Sequence, residues 1–270
     1  MPASAADFIG LFPKYYDQYL RTLLFDEYAA DLARRVCARR AGAVLETAAG
    51  TGIASRHLRD ALPAETRLVV TDLNEPMLDI ARAKFQPGEN VEFRATNALR
   101  LEFDAAAFDA VACGFSLMFF PDKLAGAREA ARVLKPGGAF VFNVWDSYAH
   151  NEYAQITNDC LAGLYGPRRP PFYDTPYGYY RIDEIKDMLR EAGFGRIEIS
   201  VIPKIGRSPS ARDATLGYVM GTPACLQIVE REDPPLEAVL DAVERAMRAA
   251  LGAGEIAAKI QAIAFEAYLA

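Results

Sequence analysis

Nine residues, Val44-Leu45-Glu46-Thr47-Ala48-Ala49-Gly50-Thr51-Gly52, join an apolar run to a glycine-bearing turn and then to a helical stretch, Ile53 to Ala61. Glycine lets a backbone come close to a small ligand, and the start of the following helix offers unpaired N–H groups at the positive end of its dipole. That is the chemistry of a nucleotide-type cofactor site. A turn of this kind also serves as an ordinary strand-to-helix connection, so a second feature has to decide. Arg67-Leu68-Val69-Val70-Thr71-Asp72 supplies it, reading as a buried strand that ends in an acid. An acid about 20 residues beyond such a turn accepts hydrogen bonds from both hydroxyls of a ribose.

Two adenosine cofactors fit this frame, a nicotinamide dinucleotide and S-adenosylmethionine. A dinucleotide fingerprint reads G-x-G-x-x-G, so that the helix packs close and receives a pyrophosphate. Ala48, Gly50 and Ile53 do not supply it. Glu46 places a carboxylate at the mouth of the turn, which suits a cationic amino-acid tail and repels a pyrophosphate. The residues therefore favour S-adenosylmethionine, with an NAD-type oxidoreductase or a noncatalytic S-adenosylmethionine-binding protein as alternatives. Methyl transfer from a sulfonium is an in-line displacement whose reactive carbon and leaving group come with the cofactor. The protein mainly aligns a nucleophile and excludes water, and a general base is optional.

Further matching pieces follow in order. They are Thr71-Asp72-Leu73-Asn74, Thr96-Asn97-Ala98-Leu99, Phe108-Asp109-Ala110-Val111, Phe120-Pro121-Asp122 and Arg132-Val133-Leu134-Lys135-Pro136-Gly137-Gly138. With the glycine turn, these pieces make the chain resemble the class I S-adenosylmethionine-dependent methyltransferases, specifically the small-molecule branch that includes ubiquinone-biosynthesis C-methyltransferases. The resemblance covers residues 40 to 147. It implies a doubly wound, seven-stranded, mostly parallel Rossmann-like sheet with helical insertions forming a lid. It also implies S-adenosylmethionine as cofactor, S-adenosylhomocysteine as product and a small, partly apolar acceptor methylated at O, N or C. By the same resemblance Glu46, Ala48, Gly50 and Gly52 line the methionine tail, Asp72 holds the ribose, and Leu73 and Met77 flank the adenine. Asn97 and Ala98 would read the adenine edge, and Phe115 would lie beneath the cofactor. Ala48 departs from the family's usual glycine, and Asn97 from its usual aspartate.

The acceptor side is drawn from aromatic residues near strand ends. Tyr15, Tyr16 and Tyr19 on the leading helix, Met118 and Phe119 after the fourth strand, and Trp145, Tyr148 and His150 after the fifth form one candidate pocket. Such residues serve more often as core than as ligand cage. His150 and Tyr19 are the candidates for a general base, whereas His57, on the helix after the turn, reads as structural or solvated.

These side chains need elements to hold them. Apolar spacing in Tyr16, Tyr19, Leu20, Leu23 and Leu24 predicts a helix from Phe12 to Arg40. Strands are expected near 43 to 46, 67 to 72, 91 to 95, 108 to 115 and 139 to 145, alternating with helices, the pattern of a parallel sheet covered on both faces. Lys135-Pro136-Gly137-Gly138 is expected to end the fourth crossover helix. A tyrosine-, proline- and glycine-rich stretch then precedes a helix near Ile182 to Ala192 and a strand near Arg196 to Lys204. The run from Lys259 to Tyr268 fits a final antiparallel strand or a helix continuing from Gly254, the strand being favoured. The expected organisation is one methyltransferase domain over residues 1–270, with an N-terminal helical cap (1–40), a cofactor-binding core (41–146) and lid insertions (147–180 and 210–252).

At 270 residues the chain can bury a large single core. A net charge of -6 offers no general attraction to phosphate backbones, so nucleic acid is not an expected substrate, and Arg168-Arg169 reads as a solvated loop. Cys37, Cys113, Cys160 and Cys225 are too dispersed for a zinc site or a disulfide framework, and no metal is expected. Asp7 interrupts any basic-then-apolar leader, and no apolar run approaches the length of a membrane span, which predicts a cytoplasmic chain without stable membrane insertion. The oligomeric state stays open.

Overall fold

The computed structural model describes residues 12–39 and 41–269; Asp7, Arg40 and the start of the expected cap lie outside the described residues. Seven strands form one sheet in the order β3-β2-β1-β4-β5-β7-β6. They are β1 (Ala43–Glu46), β2 (Arg67–Asp72), β3 (Val91–Ala95), β4 (Phe108–Gly114), β5 (Leu134–Trp145), β6 (Phe194–Ser208) and β7 (Ile256–Leu269). β1 runs parallel to both β2 and β4, β2 to β3 and β4 to β5, while β7 is antiparallel to β5. The order reverses between β1 and β4, and in such sheets ligands bind outside the carboxyl ends of the strands at that reversal. The glycine turn after β1 and Phe115 after β4 both stand there.

Alternation within the strands sorts the core. Val44, Leu68, Val70, Ala110, Ala112 and Val141 lie on one face and cluster with Leu32, Val36, Leu58 and Leu78. Those four belong to the helices α1 (Asp26–Cys37), α2 (Ile53–Ala61) and α3 (Glu75–Arg82). Leu45, Val69, Val111, Phe140 and Phe142, on the opposite parity, are also fully buried. A sheet buried on both faces is what near-continuous apolar strands require. α4 (Lys123–Val133) starts at Asp122, whose side chain accepts from the Ala125 N–H. It ends earlier than expected, and Leu134 already pairs with Phe108 across an irregularity in β5. The cause is Pro136, which pushes Lys135 out of the helical region toward extended backbone.

By packing, the chain divides into two compact units. The core unit comprises Asp26–Trp145, Tyr179–Ile202 and Ala262–Ala270; the second comprises Met1–Phe25, Asp146–Gly178 and Pro203–Gln261. β6 and β7 each contribute residues to both. Within the span expected as an N-terminal cap, the π-helical segment Tyr16–Phe25 belongs to the second unit and α1 to the core. α1 is fastened there by charge. Arg35 bonds Asp31 at 2.6 Å and Glu266 of β7 at 2.7 Å, Arg39 also bonds Glu266, and the Tyr28 hydroxyl donates to Ile202 O at 3.0 Å.

In the second unit two π-helical segments meet through glycine. A Cβ on Gly217 would lie 2.7 Å from Leu20 Cδ2, and one on Gly221 would lie 3.1 Å from Tyr16 N. Asp146, Asn151 and Gln261 form a buried polar set, with Gln261 donating to Asp146 Oδ2 at 2.7 Å and Asn151 donating to Gln261 O at 3.1 Å. Both segments expected as lid insertions, 147–180 and 210–252, fall almost wholly in this unit. Among the described residues no helix is long and apolar enough to cross a membrane.

Candidate active site

The turn after β1 is held from three directions. Ala49 N–H donates to Thr71 O at 2.9 Å, Ser116 Oγ donates to Ala48 O at 2.9 Å, and Lys84 Nζ donates to Thr51 O at 2.7 Å. Ala48 sits at φ +51°, Gly50 at +57° and Gly52 at +80°, all in the left-handed region. For a non-glycine residue that region costs roughly 1–2 kcal/mol, so Ala48 carries strain that the family's usual glycine would not.

The two glycines do different work. A Cβ on Gly50 would meet nothing within 4 Å, so the space above this residue is open to a ligand. A Cβ on Gly52 would lie 2.6 Å from Ala81 Cβ and 3.0 Å from its Cα. Gly52, which the resemblance assigns to the methionine tail, also lets α2 begin hard against α3.

Asp72 ends β2 with its side chain 7% exposed, and its two oxygens accept from Gly50 N–H and Asn74 N–H, each at 2.8 Å. The acid expected to hold a ribose thus also shapes the turn. Each carboxylate oxygen has a further lone pair for a hydroxyl. Glu46 is 1% exposed, and its Oε2 is without a hydrogen-bond partner. Burial pushes its carboxyl up to about 8, with the Ser55 hydroxyl opposing the rise and the Asp72 charge adding to it.

On the adenine side Leu73 is 67% exposed and Met77 half-buried, while Leu78 and Ala81 on the same helix are fully buried. The first two are therefore surplus to the core and available to flank a flat ring. Asn97 Oδ1 accepts from Leu99 N–H at 2.9 Å, a local turn that uses one lone pair of the amide oxygen, and Ala98 beside it is half-buried. At the end of β4, Phe115 adopts φ +50°. Its N–H donates to Asn143 Oδ1 at 2.9 Å, and its ring stacks on Trp145 at 4.0 Å with Tyr28 edge-on to both. A bulky side chain at positive φ is a rare conformation that clusters at functional sites.

S-adenosylmethionine fits this chemistry on two observations. Open space stands over Gly50 beside a carboxylate that can accept a ribose diol, and a buried, unpartnered Glu46 oxygen is matched to an ammonium tail. A pyrophosphate would meet two acids, Glu46 and Asp72, beside the turn.

The acceptor candidates are distributed over both units. Met118 and Trp145, in the core unit, are buried, whereas Phe119 is 46% exposed. Tyr15, Tyr16, Tyr19, Tyr148 and His150 belong to the second unit. There Tyr15 stacks on Tyr19 at 5.7 Å, Tyr16 on Phe25 at 4.9 Å and Tyr148 on Tyr177 at 5.3 Å. Neither base candidate is well prepared for the role. Burial, then the charges of Asp213 and Tyr15, raise the Tyr19 phenol against the lowering effect of Arg212. His150 Nδ1 is 3.2 Å from Lys259 Nζ; an ammonium only donates, so that nitrogen accepts and the ring proton is assigned to Nε2. His57 pairs with Asp26 at 3.1 Å in the core unit, a structural contact.

Ser116 and Asn143 were not legible as site residues, because their partners are 68 and 28 residues away in the chain. Replacing Ser116 by alanine removes the bond on Ala48 O. Losing one neutral hydrogen bond costs about 0.5–1.5 kcal/mol, so affinity for S-adenosylhomocysteine should fall roughly 2- to 12-fold with little change in melting temperature. Equal affinity by calorimetry would remove Ser116 from the turn's support.

Comparison with known proteins agrees with this architecture. The model of the ubiE/COQ5 methyltransferase family matches residues 16–156, just over half of the chain. A demethylmenaquinone methyltransferase of Lactococcus lactis is 34% identical over 133 residues, 47% of this chain and 52% of that protein. One from Staphylococcus aureus is 30% identical over 199 residues, 69% of this chain and 83% of that protein. The chain spans about half the length of the first curated relatives it matches. In fold, a Bacillus halodurans protein classed with the methyltransferases superposes with a TM-score of 0.59 at 20% identity, covering 90% of this chain and 98% of that one. With its reversal-point glycine turn, ribose-type acid and matching motifs, the chain belongs to the ubiE/COQ5 methyltransferase family.

Proposed function

We propose that this protein transfers a methyl group from S-adenosylmethionine to a small, partly apolar acceptor of the quinone class. The observation that carries the reading is the Gly50–Asp72 link: one acid braces the turn at a glycine whose Cβ position is open space, where a ribose would dock. The acceptor class is supported by relatives that act on demethylmenaquinone. When bound, the cofactor supplies the reactive methyl and a good leaving group. The chain's residues would then hold the nucleoside through Asp72, Leu73, Met77, Asn97 and Ala98, hold the amino-acid tail through Glu46 and Gly50, and keep water from the reacting atoms with Phe115 and Trp145. Alignment and desolvation of this kind are what such a displacement needs from protein. The family sides against an NAD-type oxidoreductase.

Incubation with methyl-labelled S-adenosylmethionine and a reduced demethylated naphthoquinone tests the proposal. Label should pass to the organic phase and not do so with the Asp72→Ala protein; label that stays in the aqueous phase with every reduced quinone offered would overturn the acceptor class.

The family match ends at residue 156, so the rest of the second unit is where this chain would set its own acceptor. Residues 147–180 and 210–252 are proposed to form a cover that determines it. They should gain protection from hydrogen exchange when acceptor and S-adenosylhomocysteine bind together, beyond the homocysteine alone. Protection confined to residues 44–98 and 115 under saturating acceptor would assign these segments to structure only.

A further inference from the structure

Two carboxyl groups stand close together at the ends of β1 and β2 with unequal hydrogen-bond supply. Asp72 receives two backbone N–H donors. Glu46 is 1% exposed and its Oε2 receives none. The polar groups facing Glu46 are Asp72 from β2, Ser55 from α2 and Cys113 from β4, and none of these three is a cation. Neighbouring carboxyls in a dry site resist ionising together, and the one with fewer donors keeps the proton.

We infer that Glu46 carries a proton in the free protein and gives it to solvent when a ligand brings an ammonium to its Oε2, so that the turn selects adenosine ligands bearing a charged amino-acid tail. The inference rests on the S-adenosylmethionine reading above. The Glu46 O–H bond breaks, the proton passes to buffer, and the resulting carboxylate accepts an N–H of the tail. One proton leaves for each charged tail bound. The burial that lifts the carboxyl to about 8 sets the pH range. Below that pH the proton must be displaced, so affinity rises with pH by up to tenfold per unit, and the rise ends above it, where the tail also loses its charge. An α-amino group itself titrates near pH ~8, so the proton count is best taken at about pH 6.5, where the tail stays charged.

Calorimetric titration with S-adenosylhomocysteine in two buffers of different ionisation enthalpy yields that count. The whole wild-type protein should release close to one proton per ligand. Glu46→Gln should release close to none, as should wild type binding 5′-methylthioadenosine, the same nucleoside without its amino-acid tail. Binding of S-adenosylhomocysteine without proton release, or with equal release from Glu46→Gln, overturns the inference and leaves the cofactor assignment standing. If that variant does not fold, equal proton counts for the two ligands on wild type overturn it alone. Failure of wild type to bind S-adenosylhomocysteine overturns both.

Discussion

Replacing Asp72 by alanine is expected to weaken S-adenosylmethionine binding by about 2–4 kcal/mol, roughly 30- to 1,000-fold. Two losses combine. The ribose loses a charge-assisted acceptor in a nearly dry site, and the Gly50 and Asn74 N–H groups lose theirs, which lets the turn relax away from the ligand. The two contributions separate with a ligand lacking the ribose diol. That ligand should lose only the smaller, turn-related share on going to Asp72→Ala. Equal affinity of both proteins for the full cofactor would remove Asp72 from the site.

Gly52→Ala should act on stability first. Its Cβ would sit 2.6 Å from Ala81 Cβ, so α2 or α3 must shift, and φ +80° strains any side chain. Overpacking costs about 1–3 kcal/mol and the left-handed backbone about 1 more, which for a chain of this size lowers the melting temperature by roughly 5–15 °C. Adding Ala81→Gly should recover the packing share and leave the backbone share. Additive losses in the double variant would show that the α2–α3 contact is not what Gly52 serves.

Much of the core unit was readable because local and global signals coincide. β1, β2 and β3 have the expected bounds, since β1 and β2 are short, mostly apolar runs and β3 alternates apolar with charged residues. The place of Asp72, at the end of β2 beside the turn, was readable from its distance along the chain. β7 was one of two readings because a run as apolar as Lys259–Tyr268 carries no decisive period; pairing with β5 resolves it as antiparallel strand. The early end of α4 was in principle present in the Lys135-Pro136 step.

What escaped the sequence is nonlocal. Gly50 and Gly52 look equivalent in a motif, and only the neighbour at Ala81 separates a glycine under open space from one pressed against a helix. Glu46 reads as an acid at the mouth of the turn, and only the fold shows it buried beside Asp72. Likewise the helical period of Tyr16 to Leu24 runs on into α1, but Arg35, Arg39 and Tyr28 attach α1 to the core, and the chain changes unit at Phe25.

The central claim is that the turn between β1 and α2, braced by Asp72, is an S-adenosylmethionine site. Its most direct test is isothermal titration of the purified full chain with S-adenosylmethionine and, separately, NADH. The account predicts saturable binding of one S-adenosylmethionine per chain, lost or strongly weakened in Asp72→Ala, and no binding of NADH. Saturable NADH binding that Asp72→Ala abolishes, with S-adenosylmethionine failing to bind, would contradict it.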